Sequence, residues 1–521
     1  MRISSAPPKI LVVTPEVSFL PDRSGAPSEK ISARSGGLGD VSATLIQTLF
    51  GMGADVHVAI PNYRNIFKKN AGHPAAELFS RRAGNNMPVE RIHLVQDRSF
   101  YYLPKLFSDT SRENIRIALT FQREVINQVI PRVQPDLIHC HDWMTGLIPA
   151  MARTHGIPCL FTLYNLNTVK LCLSDIEEQG IDAGAFWQHC YYDRMPRDYE
   201  ETRQTNPADL LASGVFASHF VNTVSPSFLK QIVSDGTEFI APALKGELQH
   251  KLRGGCLTAI EHAPAALFNP ATDKALYRRY GAEENLSAKA FNKLRLQELL
   301  GLQMDSRAPL LFWPTRLGGG RRGSWLMSEI LPDLLSTHAS RGLQVVFIAD
   351  GDLHHHFRLL AEKANAVDRV AVREFHPQHY RLAFAAADFV LMPMDYEPCG
   401  LPCKIAQRYG ALPIGHDTGG IHDALTHLEL PAERGNGFVF KNFDATGLRW
   451  AIDEAMIFYS LPDPVRANQI RRIMTESLVA YDDQATGRNY IDLYERMLQR
   501  PFDYLKPEAF GVADLDFLSA A

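Results

Sequence analysis

Cysteine is scarce in this chain, with seven in 521 residues, and Cys140, Cys159, Cys172, Cys190 and Cys256 stand isolated from one another. An odd number at such spacing builds neither a disulfide framework nor paired zinc half-sites, so a reducing, cytoplasmic setting is the expectation. A charge excess of one sign is lacking too: 54 Lys and Arg against 58 Asp and Glu give a net charge of −4. Without basic excess, neither a nucleic acid nor an anionic membrane is expected as a partner. Long apolar runs, short-period repeats and low-complexity tracts are missing as well. The first apolar run after Met1 is short and ends in Thr14-Pro15-Glu16 without a small-residue cleavage site, which predicts a buried first strand in place of a signal peptide.

What is present is ordinary globular material, 45% hydrophobic and 21% charged, with a mean hydropathy of −0.15 and enough length for two large or three smaller domains. Lys9 to Thr14 reads as a strand, followed by the glycine-rich loop Ser35-Gly36-Gly37-Leu38-Gly39-Asp40 and a helix from about Val41 to Met52. Strand-like runs recur at Asp55–Ile60, Asp136–Cys140, Cys159–Leu163 and Phe220–Val224, and again at Leu310–Trp313, Gln344–Ile348, Phe389–Met392 and Leu412–Ile414. Short apolar strands alternating with helices predict parallel sheets covered on both faces. Two such series predict two doubly wound α/β domains, residues 1–255 and 256–482, followed by a returning helix and tail, 483–521. The interruption at Arg253 to Ala271, with Gly254-Gly255 and two prolines, marks the division. Ligands of such sheets bind beyond the carboxyl ends of the strands, so a cleft between two facing domains is the expected site.

Each motif has a plain reading beside a chemical one. Gly36-Gly37-Leu38-Gly39 is either a tight turn or a helix N-terminus open to an anion, with Arg34 and Asp40 bracketing it. In His139-Cys140-His141-Asp142-Trp143 the alternation puts both histidines on one face, where hydrogen-bonded polar groups are favoured over a two-ligand metal site. His354-His355-His356 reads as a solvated helix face, and Cys399 with Cys403 lacks CxxC spacing. Arg316, Arg321 and Arg322 around Gly318-Gly319-Gly320 form either an exposed basic loop or a guanidinium clamp suited to a diphosphate. Glu397-Pro398-Cys399-Gly400-Leu401 and Thr418-Gly419-Gly420 each follow a strand end, adding a carboxylate and a second glycine turn. Together these groups suit a nucleotide-sugar site.

In these motifs, and in Thr223-Val224-Ser225-Pro226 and Asn269-Pro270-Ala271-Thr272-Asp273 running on through Lys289, Asn292, Lys293 and Leu296 to Gly301-Leu302, the chain resembles the bacterial glycogen and plant starch synthases from Ile10 to about Leu498. The resemblance implies a GT-B fold of two Rossmann-like domains. It also implies transfer of glucose from ADP-glucose to an α-1,4-glucan acceptor with retained configuration, and neither metal nor cofactor. Carried over, Arg34, Gly36, Gly37 and Asp40 belong to the diphosphate side, Arg316 and Arg322 neutralise the leaving group, and Glu397 orients the donor sugar. Cys399, Gly400, Leu401, Thr418, Gly419 and Gly420 complete the donor pocket, while Asp142, Tyr164, Asn165 and Thr258 hold the sugar and the acceptor side.

The chain departs from the family pattern at Arg34 and Arg322, where lysines are usual, and at Tyr164, which replaces a histidine. Thr258 in Leu257-Thr258-Ala259-Ile260-Glu261 replaces an asparagine, and Met394 a serine. The position eight residues after Glu397 is Ile405, as in glycogen synthases. Because Tyr164, Thr258 and Met394 are expected around one sugar pocket, another donor or acceptor, or a glucan-binding paralogue of impaired activity, stands as the alternative.

Overall fold

The β-branched run at the start of the chain forms β1 (Lys9–Val13), whose last four residues are fully buried in a computed structural model that describes residues 7–20, 31–33, 36–71, 87–106, 111–235, 237, 239–318 and 322–502. Around β1 the first unit builds a seven-stranded parallel sheet. Its further strands are β4 (Asp55–Pro61), β5 (Ile92–Val95), β6 (Leu137–His141), β7 (Cys159–Leu163), β10 (Phe220–Thr223) and β11 (Leu257–Ala259), in the order β11-β10-β7-β6-β1-β4-β5. Two antiparallel pairs, β2 (Val17–Leu20) with β3 (Ile31–Ala33) and β8 (Lys170–Leu171) with β9 (Ala208–Asp209), lie outside it. A parallel sheet is buried on both faces, which is why β6 and β7 are buried at every position.

The second unit repeats the plan with six parallel strands: β12 (Leu310–Trp313), β13 (Gln344–Ile348), β14 (Val370–Arg373), β15 (Phe389–Met392), β16 (Leu412–His416) and β17 (Phe438–Phe440). They run in the order β14-β13-β12-β15-β16-β17. Besides the two antiparallel pairs, four strands of the parallel sheets escaped the sequence pattern, namely β5, β11, β14 and β17, each of only three or four residues. β11 also lies past the expected division at residue 255; Leu257 pairs with Val221 in parallel register, so the first unit runs to Glu261.

The chain returns to the first unit at Asp483. The helix Asp483–Leu498 packs on the helix Gly37–Gly51 so closely that a β-carbon at Gly487 would stand 2.6 Å from Met52 Sδ. Its buried Tyr490 and Tyr494 carry hydroxyls that complete polar groups of the sheet: Asn222 Nδ2 donates to Tyr490 at 2.9 Å, and Tyr494 lies 2.8 Å from His139 Nδ1. Among the described residues no helix is long and apolar enough to cross a membrane.

Candidate active site

In the first unit the site residues gather where β1, β6 and β7 end. β6 closes on His141, and Asp142 turns the chain with φ +66°, a left-handed conformation that aspartate seldom adopts outside specialised turns. Its Oδ1 accepts the Trp143 amide at 2.6 Å and its Oδ2 accepts Asn165 Nδ2 at 2.6 Å. Burial raises the Asp142 carboxyl to about 7, against the amides of Trp143 and Tyr164, and the charge of Glu16 adds to the rise. The result is a carboxyl that exchanges its proton near neutrality. Beside it His141 Nδ1 lies 2.9 Å from Ser42 Oγ and 3.4 Å from the Tyr164 hydroxyl. Burial holds that imidazole down at about 3, hence neutral. His139 is spent structurally, one nitrogen on Tyr494 and the other 2.6 Å from Thr162 Oγ1.

Asp142, Tyr164 and Asn165 are thus brought together. Thr258 is not: it sits within β11, two strands from β7, about 10 Å away by the spacing of a sheet. Gly36 precedes the helix Gly37–Gly51, which starts four residues earlier than the sequence pattern predicts, and Asp40 is buried in its first turn. A β-carbon on Gly36 or Gly37 would meet nothing within 4 Å among the described residues. Packing therefore gives no reason for two glycines, whereas close approach of a ligand to the helix amides does. Arg34 and Ser35 lie outside the described residues. Sequence reasoning passed over Glu16, whose carboxylate accepts the Gly36 amide at 3.3 Å. Its signal was a lone acid in the apolar stretch from Ile10 to Leu20.

In the second unit three neighbouring strands, β12, β15 and β16, each deliver a loop at their carboxyl ends. The loop after β15 carries Glu397, half-buried, whose Oε1 accepts the amides of Cys399 at 3.4 Å and Gly400 at 3.3 Å. The loop after β16 carries Thr418-Gly419-Gly420, and the two loops interlock. The Gly420 amide donates to the Glu397 carbonyl at 2.7 Å, and Thr418 Oγ1 donates to the Asp395 carbonyl at 3.3 Å. A β-carbon at Gly419, where φ is +46°, would stand 2.3 Å from the Glu397 oxygen, and one at Gly400, φ +65°, would stand 2.3 Å from the Gly420 oxygen. Only glycine fits at either place. Leu401 then starts the helix Leu401–Arg408.

Arg316, in the loop after β12, is exposed and has no hydrogen bond or ion pair with the described residues. Arg322 opens the helix Arg322–Thr337, but its side chain lies outside the described part, as do Gly319, Gly320 and Arg321. Met394 does not face a sugar pocket. It is fully buried, with Thr315 Oγ1 donating to its sulfur at 4.0 Å. Among the described residues no group of three or more His, Cys, Asp or Glu side chains is placed to hold a metal ion.

Two Rossmann-like units with loops of this kind define the GT-B class of glycosyltransferases. The catalytic domain of starch synthase IV from Arabidopsis thaliana, solved with ADP and acarbose, superposes with a TM-score of 0.75 at 21% identity, covering 95% of this chain and 100% of that one. Sucrose-phosphate synthase from Thermosynechococcus elongatus shares the fold at a TM-score of 0.54 and 16% identity, covering 94% and 99%. Residues 9–250 match the starch synthase catalytic domain family, and residues 327–470 match glycosyl transferases group 1. Glycogen synthase of Clostridioides difficile is 30% identical over 81% of this chain and 89% of its own length. That of Cellvibrio japonicus is 30% identical over 85% and 93%, and that of Geotalea uraniireducens 27% identical over 90% and 97%. The chain belongs to the glycogen synthase family and is a glucan-extending glucosyltransferase.

Proposed function

We propose that the enzyme takes glucose from ADP-glucose and adds it, with retained configuration, to the non-reducing 4-OH of an α-1,4-glucan. The observation that carries this reading is the Arg316 guanidinium, without a partner among the described residues, at the carboxyl end of β12, on the same edge of the sheet as Glu397 and the interlocked glycine turns. Departure of a nucleoside diphosphate leaves negative charge on its oxygens and oxocarbenium character on the sugar, so a fixed cation at the leaving group lowers the barrier most. In this reading Arg316 and Arg322 of the second unit neutralise the diphosphate; in the first unit the helix amides at Gly36 and Gly37 offer an anion site, Arg34 and Asp40 being their neighbours in sequence. Glu397 orients the glucosyl unit within the pocket of Cys399, Gly400, Leu401, Thr418, Gly419 and Gly420. Asp142, Asn165 and Tyr164 serve the sugar and the acceptor side.

ADP as the leaving group is supported by the starch synthase IV solved with it. A cytoplasmic setting is supported by seven cysteines that are all free thiols. Of the family positions that differ, Tyr164 follows β7 beside Asn165, whose side chain bonds Asp142, while Met394 is fully buried and Thr258 lies within β11, which favours Tyr164 as the difference that bears on the sugar. The test is to incubate the protein with glycogen and either ADP-glucose or UDP-glucose and follow nucleoside diphosphate release together with chain growth. ADP release with extension is expected, and Arg316→Ala and Glu397→Ala should each lower kcat by about 10²-fold or more. Extension from UDP-glucose alone, or near-normal turnover in both variants, overturns the reading.

A further inference from the structure

Beyond the carboxyl ends of β16 and β17 lies a cavity of about 790 Å³ that none of the residues assigned to the donor lines. One wall is aromatic. Trp450, 46% exposed on the helix Ala445–Tyr459, stacks on His427 with ring centroids 5.5 Å apart and planes at 18°. The Val439 amide donates to His427 Nδ1 at 3.2 Å, which fixes the ring and leaves the proton of the neutral imidazole on Nε2. The remaining wall sets the apolar Leu425, Val439 and Phe440 beside a polar rim with two carboxylates against one lysine. Asp417 lies 2.6 Å from His422 Nδ1, Lys441 and Asn442 are exposed, and Asp444 is already used in accepting the Gly447 amide at 2.7 Å.

An anion would meet the Asp417 and Asp444 carboxylates with Lys441 alone to offset them, and a wholly apolar ligand would strip water from the rim without replacing its hydrogen bonds. A neutral pyranose satisfies both walls. Its C–H face matches the electron-rich face of an indole, and its hydroxyls both donate and accept. We propose that this cavity is an accessory α-glucan site in which Trp450 is the platform, holding part of the acceptor away from its reacting end. The identity of the ligand rests on the enzyme extending glucan. A polymer held at a second point meets the active site at a raised effective concentration, an advantage that a short acceptor does not gain.

The test uses Trp450→Ala, the milder Trp450→Phe, and Asn442→Ala, with melting temperatures confirming that each folds. Without donor, Trp450→Ala should lose most of its retardation in gels containing glycogen. With donor, its KM for glycogen should rise about tenfold while kcat and KM for maltotriose stay at wild-type values. Trp450→Phe and Asn442→Ala should fall between. Retardation of Trp450→Ala equal to wild type overturns the proposal, as does a wild type that glycogen does not retard. So does a KM that moves equally on both acceptors. If wild type extends neither acceptor, the proposed activity fails, while the gel assay, which needs no donor, still decides the cavity.

Discussion

Two buried titratable residues of the first unit have pKa values displaced in opposite senses, and their pH windows separate them. Asp142 is raised to about 7, above its ordinary value, chiefly by burial. The folded state therefore prefers its protonated form, and its contribution to stability is complete below about pH 4 and is lost as pH rises through 7. Asp142→Asn should melt above wild type at pH 8, with the gap closing toward pH 4; a gap independent of pH would show that the carboxyl is not displaced. His93, stacked on His57 at 5.3 Å with 3.0 Å between Nε2 and Nδ1, is lowered to about 4 by burial, with the charges of His57 and Arg132 adding. Its contribution is present above about pH 6.5 and is lost as pH falls through 4, because the unfolded chain takes up the proton first. Melting curves between pH 4 and 7 should show wild type losing stability in acid faster than His93→Gln. Neither displacement is legible in the sequence, since burial is set by chain segments far from the residue.

Among elements, the helix Asn285–Leu300 shows what a family-like stretch does without chemistry. Its Lys289, Asn292, Lys293 and Leu296 all face inward. Lys289 Nζ donates to the carbonyls of Ala385 at 3.1 Å and Tyr409 at 3.0 Å, and burial lowers it to about 7. Lys293 pairs with Asp388 at 2.6 Å and donates to the Ala308 carbonyl at 2.9 Å, tying the helix to the amino ends of β12 and β15. Removing one partner of a buried pair leaves the other uncompensated, so Lys293→Ala should cost about 3 kcal/mol of stability, read by denaturant titration. A loss below about 1 kcal/mol would show that the pair is solvated. The stretch entered the sequence reading only through the family resemblance, and the inward course of its lysines was not legible, because a charged residue reads as solvent-facing until a carboxylate or carbonyls are found opposite it.

For the whole molecule, the decisive feature is that the first unit is built from both ends of the chain. Tyr490 and Tyr494, fully buried, bring hydroxyls to Asn222 and His139 of the central sheet. A chain ending at Asp482 should leave those polar groups and the face of the helix Gly37–Gly51 uncovered. Hydrogen exchange is then expected to accelerate in β6 and β10 while β12 and β15 keep their protection. Unchanged protection in β6 would show that the returning helix is dispensable. Tyr494→Phe, which deletes one buried hydrogen bond, should cost about 1 kcal/mol.

The alternation of short apolar strands with helices, the two-series plan and the glycine and arginine motifs at strand ends were all present in the sequence, because side-chain periodicity and turn chemistry are local. The shortest strands were not: three residues such as Leu257–Ala259 hold too little pattern and become strands by pairing with a neighbour already in place. The interlock of Gly400 with Gly419 and Gly420, the burial of Met394, the separation of Thr258 from Tyr164 and the proton on Asp142 were decided by tertiary structure alone. Each depends on which distant segment lies opposite, and close packing, desolvation and unpaired charge are properties of that juxtaposition, not of the residue.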